Sequence, residues 1–188
     1  MVRIFPGLLC WLAVIILLLP GPSVANEGRI DEMVVTNSDR EVLLYFQVRD
    51  FMTPEMEEGV KSGLPLTMIF LVELHRQRWG WRDRKLVELE FTHVLSYDSL
   101  KDEYRVTREE EEGRVVSTAS LAEARRLLGR VSGLAVLPLS ELEPDQTYSL
   151  SAKARLAEKS RPPLLGRLLP FRRLWSFETD WHSVEFYY

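Results

Sequence analysis

Two stretches of the chain alternate apolar and polar side chains with a period of two, and their sequences fix how they must lie against each other. Leu66, Met68, Phe70, Val72 and Leu74 share one face of the first, and Val87, Leu89, Phe91 and Leu95 share one face of the second. A pleated strand with one buried face requires that period, because successive side chains point to opposite sides. Setting Phe70 opposite Phe91, Val72 opposite Leu89 and Leu74 opposite Val87 puts every apolar pair on one face. A slip of one residue would turn a whole set to water. The register predicts an antiparallel hairpin closed by the four-residue loop Trp79-Gly80-Trp81-Arg82, with glycine where the chain turns.

The same period recurs along the chain. Val42, Leu44, Phe46 and Val48 fall on one face of a strand over 41–49, with 30–36 as its partner and Asn37-Ser38-Asp39 as the turn. Tyr148, Leu150, Ala152, Ala154 and Leu156 do likewise within 147–157. Glu109-Glu110-Glu111-Glu112-Gly113 reads as a hairpin tip between strands at 104–107 and 114–117, and 175–188 reads as a last, aromatic-rich strand. Two short helices interrupt the pattern. Thr53 and Pro54 open one that Gly63 closes, and the capping box Ser120-Leu121-Ala122-Glu123 opens another whose apolar spacing runs to Val131, with Gly133 ending it. These signals predict a mostly-β fold: one antiparallel β-sandwich, immunoglobulin-like in broad shape, with about seven to nine strands and two short helices. A small closed β-barrel is the alternative.

The N-terminus bears on the compartment. A basic start at Arg3, an apolar run from Leu8 to Leu19 and the small-residue break Pro20-Gly21-Pro22-Ser23-Val24-Ala25 predict a cleavable signal peptide over 1–25, followed by a single domain over 26–188. The run is shorter than the ~20 residues that span a bilayer, so retention at the inner membrane is the alternative to cleavage. Cys10, the one cysteine, lies within the run, which leaves the exported chain with no disulfide and no disulfide-linked partner. Such a chain must hold itself together by burial alone, which favours the bacterial periplasm over eukaryotic secretion. Loss of Arg3 takes the formal net charge from −4 to −5, a balance that argues against nucleic acid as a partner.

Candidate sites are few. His75 to Lys85 packs two tryptophans, four arginines and a lysine into eleven residues. Trp79, Trp81, Arg76, Arg78, Arg82 and Arg84 could form a platform for anionic or glycan-like groups through indole stacking and cation–π contacts, or could simply close and solubilise the hairpin end. Residues 160–173 carry Leu164, Leu165, Leu168 and Leu169 beside Arg167, Arg172 and Arg173 with no acidic residue. That connection either covers an open end of the core or docks on anionic headgroups or a partner's groove. Glu73 faces Glu88 on the outer side of the hairpin, with Glu90 nearby; Lys153 and Arg155 are the expected counter-charges, and a glycan hydrolase using these carboxylates is the catalytic alternative. His75 and His93 lie on opposite faces, roughly 23 Å apart along the strand, so no metal site is expected. His93 reads as a hydrogen-bonded histidine at the core edge. No nucleophile elbow, phosphate loop, HExxH or cofactor motif is present.

The segments "SGLPLTMIFLVELHRQRWGWRD", "LSYDSLKDEYRV", "STASLAEARRLL" and "YSLSAKARL" together resemble the bacterial family known as domain of unknown function 4390. The resemblance implies an exported protein of a Gram-negative bacterium, in some members encoded near a two-component sensor kinase, and carries over no catalytic or ligand residue. The expected function is a non-catalytic periplasmic interaction module of the cell envelope, whose partner is an envelope protein or the membrane surface. A carrier of an apolar ligand within the sandwich or barrel is the further alternative.

Overall fold

The hairpin at 66–95 forms in the register its apolar faces demand, and the other strands assemble around it. The computed structural model describes residues 28–78, 80, 83–157 and 177–188. Among them, β1 (Arg29–Asn37) and β2 (Glu41–Arg49) precede helix α1 (Pro54–Lys61). The chain continues through β3 (Leu66–Arg76), β4 (Arg84–Asp98), β5 (Glu103–Arg108) and β6 (Arg114–Thr118) to helix α2 (Leu121–Leu128). It ends with β7 (Arg130–Pro138), β8 (Thr147–Leu156) and β9 (His182–Tyr187). The expected signal peptide and the 160–173 connection lie outside the described residues.

The strands form a three-stranded sheet in the order β1-β2-β7 and a six-stranded sheet in the order β6-β5-β4-β3-β8-β9, antiparallel throughout. The result is a mostly-β structure with two short helices, whose antiparallel sheet is open and curled like a half-barrel. The inward faces of β2 and β3 meet where Phe46 packs edge-on against Phe70 at 5.8 Å, and Phe70 stacks on its cross-strand partner Phe91 at 5.1 Å. Each such aromatic pair adds about 0.5–1.5 kcal/mol beyond the area it buries. Alternate residues of β3 and β8 are buried in step, as the pattern predicts.

Pairing matches expectation from Leu66 opposite Leu95 to Leu74 opposite Val87, and then a bulge intervenes. His75 faces Lys85 rather than Leu86, Arg76 faces Arg84, and the connection between strands runs from Gln77 to Asp83 instead of four residues. Helix α1 starts as predicted: the Thr53 hydroxyl accepts from the Met56 amide at 3.3 Å, and Pro54 takes the first position, where its missing N–H costs nothing. Helix α2 starts at its predicted cap, Ser120, but stops at Gly129, and Val131 belongs to β7. Gly133, expected to end the helix, instead sits within β7 at φ +74° among two register shifts against β2. These shifts break the period of two and hide the strand. The final strand is shorter than expected. Phe177 reaches the core and Phe186 stacks on Tyr148, while Tyr187 is exposed.

Candidate functional site

The acidic run at the β5–β6 turn does not point wholly into water: Glu109 and Glu112 are exposed, but Glu110 and Glu111 are partly buried. Parity along β4 and β5 turns His93 and Arg108 inward, where α2 ends above them, and Glu110 and Glu111 fold back to meet them. His93 is fully buried, with its ring 4.6 Å from that of Phe70; its Nδ1 lies 2.8 Å from the Leu128 carbonyl and its Nε2 2.8 Å from Glu110 Oε1. A carbonyl only accepts, so Nδ1 carries a hydrogen, and the Nε2···Oε1 contact shares a second. Both ring nitrogens are engaged, which makes this imidazole a strut between α2 and the hairpin tip. Arg108 donates to Glu111 at 2.6 Å and to the Leu127 carbonyl at 3.3 Å, and Glu109 accepts from the amide and hydroxyl of Thr92, both at 2.8 Å. Arg108 Nε and Glu110 Oε2 are buried without a hydrogen-bond partner.

On the outer face of the six-stranded sheet, Glu73 does lie opposite Glu88, but the counter-charge is not the expected one. Lys85 donates to Glu73 at 2.7 Å and to Glu88 at 3.1 Å, and those two bonds, Glu73 first, hold its ammonium above the ordinary lysine value. The bulge explains this. In an unbroken register Lys85 would face Arg76 on the core side, whereas the shift turns it outward beside Glu73. Lys153 instead pairs with Glu178 at 2.5 Å and lies 5.9 Å from the Trp181 ring centroid, and Arg155 bridges to Glu178 through the backbone. Glu90 is exposed opposite Leu71. Lys85 fills the gap between Glu73 and Glu88 that a substrate of an acid pair would need.

Arg76 stands apart from the other described arginines of the hairpin end. Arg76 is buried on the core side of β3 and forms an ion pair with Glu143, because the alternation of β3 runs unbroken from Leu66 to Arg76 and the extra residue of the bulge falls on β4; it is not part of an exposed platform. Arg78 and Arg84 are exposed. Trp79, Trp81 and Arg82 lie outside the described residues, as do Leu164, Leu165, Arg167, Leu168, Leu169, Arg172 and Arg173 of the 160–173 connection. A polar cleft of about 490 Å³ borders the hairpin end, lined by Arg78 and Asp83 on one side and Asp145 and Gln146 on the other. Asp145 accepts from the Tyr187 hydroxyl at 2.8 Å.

A larger cleft, about 510 Å³, escapes any reading of the sequence by segments. It lies between α2 (Ala122, Arg125, Arg126), the stretch from Tyr45 to Met52, Glu32 of β1 and the start of β7 at Arg130. Its geometry rests on Gly129. The Val48 amide donates to the Gly129 carbonyl at 2.8 Å, and a Cβ at Gly129 would stand 2.6 Å from the Val48 carbonyl oxygen, so helix and strand approach backbone to backbone. The arginines differ in their commitments. Arg49 is held by Asp31 and Glu32, Arg126 by Glu123 at 3.0 Å and Arg125 loosely by Glu57 at 3.6 Å. Arg130 has no ion pair among the described residues. No group of three or more metal-ligating side chains suited to an ion occurs among those residues.

Comparison with known proteins places the chain. The family model described as "Domain of unknown function (DUF4390)" matches residues 25–185. The chain belongs to the DUF4390 family. No curated protein and no solved structure matched. The matched span runs from before β1 to within β9, so the His93 strut and the arginine cleft are both parts of the DUF4390 domain.

The acidic tip gives this DUF4390 domain a testable acid response. The Arg108 hydrogen bond holds the Glu111 carboxyl below its ordinary value; burial opposes this, and the charges of Arg108 and Arg114 reinforce it. A depressed carboxyl contributes stability that is complete above the unfolded-state value of about 4.3 and is lost as pH falls through the folded-state value. Glu111→Gln is therefore expected to lower the urea midpoint at pH 7 and to lower it less at pH 3. An equal loss at both pH values would show that the ionised carboxylate contributes nothing.

Proposed function

We propose that this DUF4390 domain is an exported, non-catalytic interaction module of the cell envelope, delivered to the periplasm by the segment 1–25. The observation that carries the reading is the cleft beside α2. It gathers four arginines from three elements on a net acidic chain, and three of them are tied only by ion pairs with partly exposed side chains. Exposed pairs contribute about 0–1 kcal/mol each, so a partner can displace them at little cost. The most buried imidazole, by contrast, is engaged at both nitrogens by the fold. In architecture we read the three-stranded and six-stranded sheets as the two leaves of a sandwich that stays open along one side, with the cleft on the three-stranded leaf.

Crosslinking in cells, followed by affinity purification and mass spectrometry, tests the module reading. An envelope protein should be enriched above a control in which an unrelated exported domain is captured. A result in which nothing is enriched would sink the proposal.

A further inference from the structure

We infer that the cleft between α2 and β2 recognises an acidic peptide segment of the partner, with Arg130 as the primary anion contact and Arg125 and Arg126 as its neighbours. This inference rests on the module reading and adds the chemistry of what is bound.

Charge comes first. The cleft is lined by Arg49, Arg125, Arg126 and Arg130 against Glu32 and Asp50, a local positive balance on a chain of formal net charge −4. That balance is uneven along the cleft. At the β1 end, Asp31, Glu32 and Asp50 are tied to Arg29 and Arg49. At the α2 end, Arg125 and Arg126 have one acidic partner each, and Arg130 has none among the described residues. The uncommitted charge is therefore a guanidinium, which suits a carboxylate through paired N–H donors.

The neighbouring polar groups favour a peptide over a compact ion. Gln47 lines the groove, and its amide nitrogen donates to the carbonyls of Val48 at 3.0 Å and Arg126 at 3.3 Å, which leaves its oxygen as the free acceptor of that side chain among the described residues. A backbone N–H of a bound segment supplies the matching donor. A phosphate small enough to reach Arg130 concentrates its charge at one point of a cleft that also holds Glu32 and Asp50. Carboxylates spaced along an extended segment, with a rise of about 3.3 Å per residue, meet the arginines one at a time. The volume of about 510 Å³ falls within the range of ligand clefts.

The test uses the purified exported chain and a short fluorescent glutamate-rich peptide followed by anisotropy. Binding is expected to weaken with added salt and to fall about tenfold or more in Arg130→Glu, the factor carried by one charge-assisted contact, with Arg130→Gln in between. Because Arg130 is exposed, both variants should keep the wild-type urea midpoint. Equal binding of a glutamine-rich peptide, or unchanged affinity in folded Arg130→Glu, would overturn the inference. So would inorganic phosphate or anionic vesicles competing as well as the unlabelled peptide. In cells, a partner crosslinked equally by wild type and Arg130→Glu would remove the acidic-peptide site and leave the module reading standing. Capture of nothing by either would remove the module reading itself.

Discussion

His93→Leu is expected to destabilise the domain by about 3–5 kcal/mol, the range for breaking a buried polar pair from one side. That is a third or more of the total stability of many domains. Leucine fills much of the same space beside Phe70 and Phe91, so a cavity contributes little. The cost comes from what is stranded. Glu110, whose side chain is 8% exposed, loses the one side-chain hydrogen bond it makes among the described residues, and the Leu128 carbonyl at the end of α2 loses its donor. Adding Glu110→Leu should restore part of the loss, because the double variant no longer buries an unpaired carboxyl. Urea denaturation of the two single variants and the double variant measures the coupling. If the two losses simply add, the pair does not hold the tip to the helix.

Gly129→Val should be the next most damaging change, by about 1–3 kcal/mol or more from overpacking. Its cause is space alone. Gly129 has φ −87°, which any residue adopts, yet a Cβ there meets the Val48 carbonyl oxygen at 2.6 Å and Phe51 at 3.1 Å. Neither backbone can yield without breaking the Val48 to Gly129 hydrogen bond. Gly113 offers the opposite case: its φ is +75° and nothing lies within 4 Å, so Gly113→Ala carries backbone strain of about 1–2 kcal/mol without a clash. Comparing Gly129→Ala, Gly129→Val and Gly113→Ala by denaturation separates the two causes. Loss at Gly129 should grow with side-chain size, and a tolerated valine would mean that α2 and β2 are not in tight contact.

Legibility in the sequence followed parity. The register of β3 and β4 could be read because Met68, Phe70, Val72 and Leu74 leave only one way to bury their partners. It failed beyond Leu74, where Arg76, Arg78, Asp83, Arg84 and Lys85 are polar on both faces and carry no signal of inside or outside. The missed bulge there misplaced Lys85, and with it the charge between Glu73 and Glu88. β7 was hidden twice, once by the helical spacing of Leu127, Leu128 and Val131 and once by the glycine bulge. Four glutamates before a glycine look like a solvated turn in any sequence. Only the tertiary placement of His93, Arg108 and the end of α2 draws Glu110 and Glu111 inward. The arginine cleft draws on β1, β2, α2 and β7 and has no local motif to find.

The position of β3 at the centre of the large sheet has a kinetic consequence. One neighbour, β4, is reached through a short connection, whereas the other, β8, pairs Arg76 with Tyr148 and Met68 with Leu156, about seventy to ninety positions later in the chain. Closing so long a loop loses entropy before any contact compensates for it, and topologies dominated by such pairings fold slowly. The local hairpin therefore forms early, and the far side of β3 waits as an unpaired edge with alternate apolar residues on its inner face until β8 is available. Such an edge is a template for another chain. The vulnerable moment in the life of this protein is the interval before β8 arrives, and what shortens it protects against intermolecular pairing more than any added stability of the finished fold.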